Sequence, residues 1–290
     1  MSSDEKLARL RNYIAKMPAL PVTVSKIMEI CNNPATSPSD LNKVISVDPV
    51  LMARVLKLIN SAYYGMSTQV TSLVRAIIML GINTVKNLAL STAVLGTIGR
   101  KSDFQALNMQ GFWRHSLCVG VASKLIARKR KVDAKSIEEY FIAGLLHDIG
   151  KIPMNNALAK EYVETMALSG SKHSQLATAE KELIGFDHCE VGTLIGEPWK
   201  LGADIIDTIR WHHDPSAYTG EHRTIVYTVN IANYFANANE IGFSGDRYPE
   251  NARSDVMAYL GIDWDFVDGM ASEITQEIEK AQIFLKISQE

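Results

Sequence analysis

The chain has 290 residues, 47% of them hydrophobic and 21% charged, with a net charge of -2 and a sequence pI of about 6.4. That length allows one large domain or two ordinary ones, and the balance is that of a globular protein with enough apolar residues for a sizeable core. A near-neutral chain speaks against a general nucleic-acid binder, which carries a basic excess or stripe.

The short basic run Ala127–Lys135 reads as a solvated helix end, where cations suit the C-terminal dipole. Cys31, Cys118 and Cys189 show neither zinc-knuckle spacing nor an even disulfide framework, which fits a reducing cytoplasm. The charged N-terminus lacks the apolar stretch of a signal peptide. No apolar run reaches the roughly 18 residues expected of a spanning helix, so no membrane partner is expected.

Helix signals are dense and strand signals nearly absent, which makes the expected fold class all-α. Ser37, Pro38 and Asp40 form a capping-box-like start. Asp48 and Pro49 repeat the device before a helix whose Leu51, Val55, Leu58 and Ile59 share one face. Ser72 starts a further helix with a stripe of Leu73, Ala76, Ile77 and Leu80, and Gly81 stops it. Another begins near Asn83. Five or six short helices are expected before a polar interval around Arg100–Gln110, which suggests lobes over residues 1–105 and 106–290. A long helix around Phe112–Arg128 follows. Ser136 and Glu139 read as a capping box, and Asp187 as a cap with Glu190 three residues on. Helices over Gly202–His213 and Ile225–Ala238 and an amphipathic one from Ala271 complete the chain.

Chemistry concentrates on histidine. Of seven histidines, setting aside His173 and His222 leaves His115, His147, His188, His212 and His213 on or at the ends of helices expected to be partly buried. His147 adjoins Asp148, and His212 adjoins His213. Neighbours on a helix point about 100° apart, so one pair can serve two adjacent ions or supply one ligand and one supporting group. Taken singly, each histidine is as well explained by a core, surface or helix-end role. Asp148, flanked by apolar residues, is harder to place without a cation, because a buried carboxylate is costly unpaired. Lys151 at i+3 is one candidate partner. Imidazole and carboxylate together suit iron, manganese, zinc or nickel, as one or two ions.

These residues carry a resemblance. "HDIGK" in a helical domain, preceded by His115 and followed by "DHCEVG" and "WHHDP", is similar to the HD superfamily of metal-dependent phosphohydrolases. "LPVTVSKIMEI", "ISVDPVLMARVLKLINSAYYG" and "SLVRAIIMLGINTVKNLAL" resemble its HDOD (HD-related output domain) branch, over roughly residues 15 to 240. The resemblance implies a two-lobed helical fold, a role in bacterial signal transduction, and, in many members, a metal site partly lost. By resemblance to the related HD-GYP phosphodiesterases, His115, His147, Asp148, His188, His212 and His213 match metal ligands and Lys151 the phosphate-contacting lysine. Asn233, or less well Asn230, stands where a further aspartate ligand is expected, and the GYP segment is missing after "WHHDP". An amide binds a cation more weakly than a carboxylate.

Three readings follow. In the first the protein is a signalling output module that binds a protein partner or a cyclic nucleotide, with a metal bracing its C-terminal lobe. In the second it is a metal-dependent phosphohydrolase acting on a nucleotide or cyclic dinucleotide, with Asp148 and Lys151 in catalytic roles. A helix-turn-helix over residues 37 to 60 is a third, which the charge balance supports little.

Overall fold

Capping chemistry starts the first helices where the sequence places them. The computed structural model describes residues 1–98, 106–249 and 254–289. Six helices occupy the first described stretch: α1 (Ser3–Lys16), α2 (Val22–Cys31), α3 (Pro38–Ile45), α4 (Pro49–Ile59), α5 (Leu73–Leu80) and α6 (Ile82–Ile98). Ser37 Oγ accepts from the Asp40 backbone N–H at 3.2 Å, and the Asp40 carboxylate accepts from that of Ser37 at 3.2 Å. Asp48 caps α4 through the Leu51 N–H at 2.9 Å. Gly81, at φ +87°, ends α5 in a backbone conformation that favours glycine. The polar interval expected at a junction falls largely on residues 99–105, outside the described residues.

The remaining helices are α7 (Met109–Lys129), α8 (Ile137–Leu146), α9 (Lys151–Ala157), α10 (Ala159–Lys172), α11 (Leu176–Leu183), α12 (His188–Gly196), α13 (Ala203–Trp211), α14 (Arg223–Ala238), α15 (Ser254–Leu260), α16 (Trp264–Asp268) and α17 (Ala271–Gln289). No strand occurs among the described residues, so the protein is all-α. One capping expectation fails. Ser136 sits at φ -100°, ψ -6°, already near helical backbone, and makes no side-chain cap bond. A capping hydroxyl needs an extended residue to reach the N2 or N3 amide, so Ser136 and Glu139 form no capping box.

The central helix is α7, which packs against α8, α14 and α17. Its crossing with α8 is tight because two glycines meet there. A β-carbon on Gly144 would lie 2.8 Å from Gly120 Cα, and one on Gly120 2.7 Å from the Phe141 carbonyl oxygen. In α17, Ile274, Ile278, Ala281, Phe284 and Ile287 are buried at helical spacing. That face packs on α7, α6 and α4, so the C-terminal helix returns to the N-terminal helices. Tyr63, between α4 and α5, joins the same contact: its ring lies 5.1 Å from Phe284 and 5.7 Å from Phe141, with Lys124 Nζ 4.6 Å above it.

Among the described residues no single helix is long and apolar enough to cross a membrane. Helices α5 and α6 pass that test only as a pair bent by 117°, and most of α6 is buried in the protein.

Candidate metal centre

Three helix ends and one position within α7 deliver the histidines to one place. His115 lies one turn and a half into α7, while His147 and Asp148 follow the end of α8. His188 opens α12 behind its Asp187 cap, which accepts from the Glu190 N–H at 2.8 Å. His212 and His213 follow α13. Gly150 brings two of these helix ends together: a β-carbon there would fall 1.9 Å from the His188 carbonyl oxygen and 2.5 Å from the Gly192 nitrogen. The glycine of "HDIGK" therefore lets the turn carrying His147 and Asp148 press directly on α12.

The result is a buried cluster. His147, Asp148, His188 and His212 are 0% exposed, and His115 and Lys151 are 1% exposed. His213 is half-buried. Asp148 sits at the middle. Its Oδ1 lies 3.2 Å from His188 Nε2 and 3.5 Å from His212 Nε2. Its Oδ2 lies 3.3 Å from His147 Nε2, 4.0 Å from His115 Nε2 and 2.7 Å from Lys151 Nζ. His213 Nε2 approaches His188 Nε2 at 3.1 Å. Asn233 Oδ1 is 2.9 Å from His115 Nε2, whereas Asn230 turns away and donates to the His212 carbonyl at 2.7 Å. Of the two asparagines, Asn233 is thus the one that faces the cluster.

The far nitrogens define the tautomers. His147 Nδ1 bonds the Gly144 carbonyl at 2.7 Å, and His212 Nδ1 lies 3.0 Å from the Ile209 carbonyl. A carbonyl only accepts, so each Nδ1 carries a proton and Nε2 is the nitrogen turned inward, the one that would bind a cation once free of its own proton. His147 Nε2, His212 Nε2 and Asp148 Oδ1 are all buried without a hydrogen-bond partner. Orphaned buried polar atoms are costly, and these fall in two adjoining ligand groups, His115, His147 and Asp148 in one and His188, Cys189, His212 and His213 in the other, where a cation would satisfy them. The Asp148 oxygens stand 3.2 Å from His188 Nε2 and 3.3 Å from His147 Nε2, spacings that suit an ion, since ligand atoms about 2.1 Å from it stand roughly 3.0–3.4 Å apart. The residues therefore fit a divalent transition metal. The two Asp148 oxygens face different histidines, His188 and His212 on one side and His115 and His147 on the other.

The electrostatics agree with an anionic Asp148. Burial works against its charge, yet His147 and Lys151 hold it well below the usual carboxylate range. Burial likewise opposes charge on Lys151, but Asp148 and Asp246 keep it protonated to higher pH than usual. Burial, with His147 next in size, pushes His115 down to about 3, so the ring is neutral.

Three further residues at the cluster were not among the expected ligands. Glu180, 0% exposed, accepts from His188 Nδ1 at 2.6 Å and from the His188 backbone N–H at 2.8 Å. Its other oxygen accepts from the Tyr162 hydroxyl at 2.9 Å. Cys189 Sγ lies 3.9 Å from His212 Nδ1, a nitrogen whose proton already faces backbone carbonyls. The position of Cys189 beside His188 was a signal available in sequence. The separation of Glu180 from His188 by a loop was not. The two histidines set aside stay apart from the cluster: His173 ends α10, and His222 bonds Asp207 at 2.7 Å.

An all-helical protein with histidines and one aspartate gathered around an "HD" junction belongs to the HD structural class. The HDOD domain family matches residues 17–215, and the chain belongs to that family. An HDOD domain protein of unknown function from Geobacter sulfurreducens shares the fold with a TM-score of 0.74 and 26% identity, over 97% of this chain and 98% of that one. A protein from Shewanella amazonensis SB2B, provisionally named a phosphohydrolase, has the same fold at TM-score 0.68 and 23% identity, covering 97% and 98%. A relative in Treponema pallidum (strain Nichols), itself uncharacterised, is 26% identical over 226 residues. That match takes in 78% of this chain but spans only 43% of the relative's length.

Proposed function

We propose that this protein is a signal-transduction output module whose buried HD centre holds a divalent transition metal for structure and regulation. The carrying observation is the sealing of the cluster. Lys151, the residue that would meet a phosphate, is 1% exposed and already paired with Asp148 at 2.7 Å. His115, His147, Asp148, His188, His212 and His213 would hold one or two ions, with Asn233 as a weaker oxygen donor. Iron, manganese, zinc or nickel fits this donor set. Protein recognition is supported by apolar side chains left exposed on the N-terminal helices: Val47 is 77% exposed, Val50 61%, Ile78 67% and Met79 49%. They lie on the α3–α4 turn, at the start of α4 and on α5, elements that pack on one another.

The second reading is a metal-dependent phosphohydrolase acting on a nucleotide or cyclic dinucleotide, and the ordered Asp148–Lys151 pair favours it. A bound ion there supplies Lewis-acid polarisation of a phosphoryl oxygen. Lys151 would neutralise charge on the transferring group, and Asp148 would hold Lys151 in place. That chemistry requires the cluster to open, because a nucleotide has to displace the Asp148–Lys151 contact.

Metal-loaded protein, assayed against a panel of nucleotides and cyclic dinucleotides, separates the two. Bound metal without turnover is expected for the output module. Turnover that disappears in Asp148→Ala would overturn it in favour of the enzyme.

A further inference from the structure

We infer that Glu180 is a positioning residue of the metal centre. It fixes His188 as an Nε2 donor and supplies negative charge that Asn233 does not. This rests on the metal-centre reading above and adds a residue outside the ligand set.

The geometry is a chain from three helices. Tyr162 of α10 donates to Glu180 Oε1 at 2.9 Å, and Glu180 of α11 accepts on Oε2 from His188 Nδ1 of α12 at 2.6 Å. A carboxylate can only accept, so Nδ1 carries a proton and Nε2 is the nitrogen that faces the cluster and would bind the cation once free of its own proton. That nitrogen is the one 3.2 Å from Asp148 Oδ1 and 3.1 Å from His213 Nε2. His147 and His212 take the same tautomer from backbone carbonyls, which are neutral. His188 alone among these three takes it from a carboxylate.

Charge explains why that difference matters. Asp148 is the carboxylate at the middle of the cluster, and Lys151 already offsets its charge at 2.7 Å. Asn233, the amide that faces the cluster, adds no charge. A divalent cation therefore enters a donor set with little net negative charge of its own. A carboxylate on the far nitrogen of a ligating histidine raises that ring's basicity and orients it. Glu180 is 0% exposed, so it makes this contact away from solvent. Its bond to the His188 backbone N–H at 2.8 Å also braces α12, so the two roles must be told apart.

The test uses the full chain and the metals alone. Zn2+ and Mn2+ dissociation constants are measured by chelator competition for wild type, Glu180→Gln, Glu180→Ala and Tyr162→Phe. Glu180→Gln keeps an acceptor but loses the charge, and about a 10-fold weakening is expected. Glu180→Ala loses both, and a weakening nearer about 100-fold is expected. Tyr162→Phe falls between wild type and Glu180→Gln. Ring nitrogen NMR of the metal-free protein, titrated to a pH at which the His188 ring is neutral, reads the tautomer, which a purely structural role would leave alone. His188 is expected as the Nδ1–H form in wild type and Glu180→Gln, and as a mixture in Glu180→Ala. Wild-type affinity in Glu180→Gln, in a protein that does bind metal, overturns the role of Glu180 and leaves the metal centre standing. Wild-type protein that binds neither ion overturns both.

Discussion

Asp148 faces in two directions at once. One oxygen is bonded to Lys151 at 2.7 Å, and the other has no hydrogen-bond partner although two imidazole nitrogens stand within 3.5 Å. The first contact stabilises the metal-free protein, and the second is left for a cation. Removing one member of a buried ion pair strands the other charge. Asp148→Asn should therefore cost about 3–5 kcal/mol in urea unfolding of the chelated protein. Asp148→Asn combined with Lys151→Met should recover most of that loss. A double variant as unstable as the single one would show that the pair is not the source. His115 gives a second residue-scale expectation. Its ring is held to about 3 in the folded protein against an ordinary 6.5. The unfolded chain thus binds a proton first as pH falls, so the stability tied to a neutral His115 is present above 6.5 and is lost progressively from 6.5 toward 3. Unfolding midpoints of chelated wild type and His115→Asn should converge with acid over that window, and parallel curves would contradict it.

At the scale of elements, the cluster depends on close approaches between helices more than on any one helix. Gly120 and Gly144 let α7 and α8 cross tightly enough to place His115 beside His147, with ring centroids 5.6 Å apart. Gly150 does the same for the turn before α9 and the start of α12. Glycine-to-alanine at position 150 puts a β-carbon 1.9 Å from the His188 carbonyl, which forces the two apart. Overpacking of this kind costs about 1–3 kcal/mol. Gly150→Ala should lower the melting temperature and also weaken metal binding, because His188 moves away from Asp148. A variant that melts lower yet binds metal as wild type does would show that the contact serves stability alone. The helix starts at Ser37, Asp48, Ser72 and Asp187 were legible because a capping side chain and its amide lie within three residues of each other. Ser136 misled for the same local reason: the residue types were right, but a turn from Asp133 had already set its backbone near helical, with Ser136 N–H donating to the Asp133 carbonyl at 2.9 Å. Helices α9 to α11 were passed over, being short or weakly patterned.

For the whole molecule, the all-α class was readable from helix signals spread along the chain, and the HDOD resemblance agrees with a family match over residues 17–215. The return of α17 to α4, α6 and α7 was not readable, because an amphipathic stripe shows that a face is covered without showing by what. Glu180 was hidden for a similar reason: it meets His188 only after the chain turns through Gly185 at φ +103°. The central claim is that these elements fold around a cation. Elemental analysis of protein purified without chelator and reloaded with zinc, manganese, iron or nickel in turn tests it most directly, with Asp148→Ala alongside. The expected result is one or two ions of at least one of these metals per wild-type chain and well under one per Asp148→Ala chain. A ratio near zero for every metal in folded wild-type protein would contradict it.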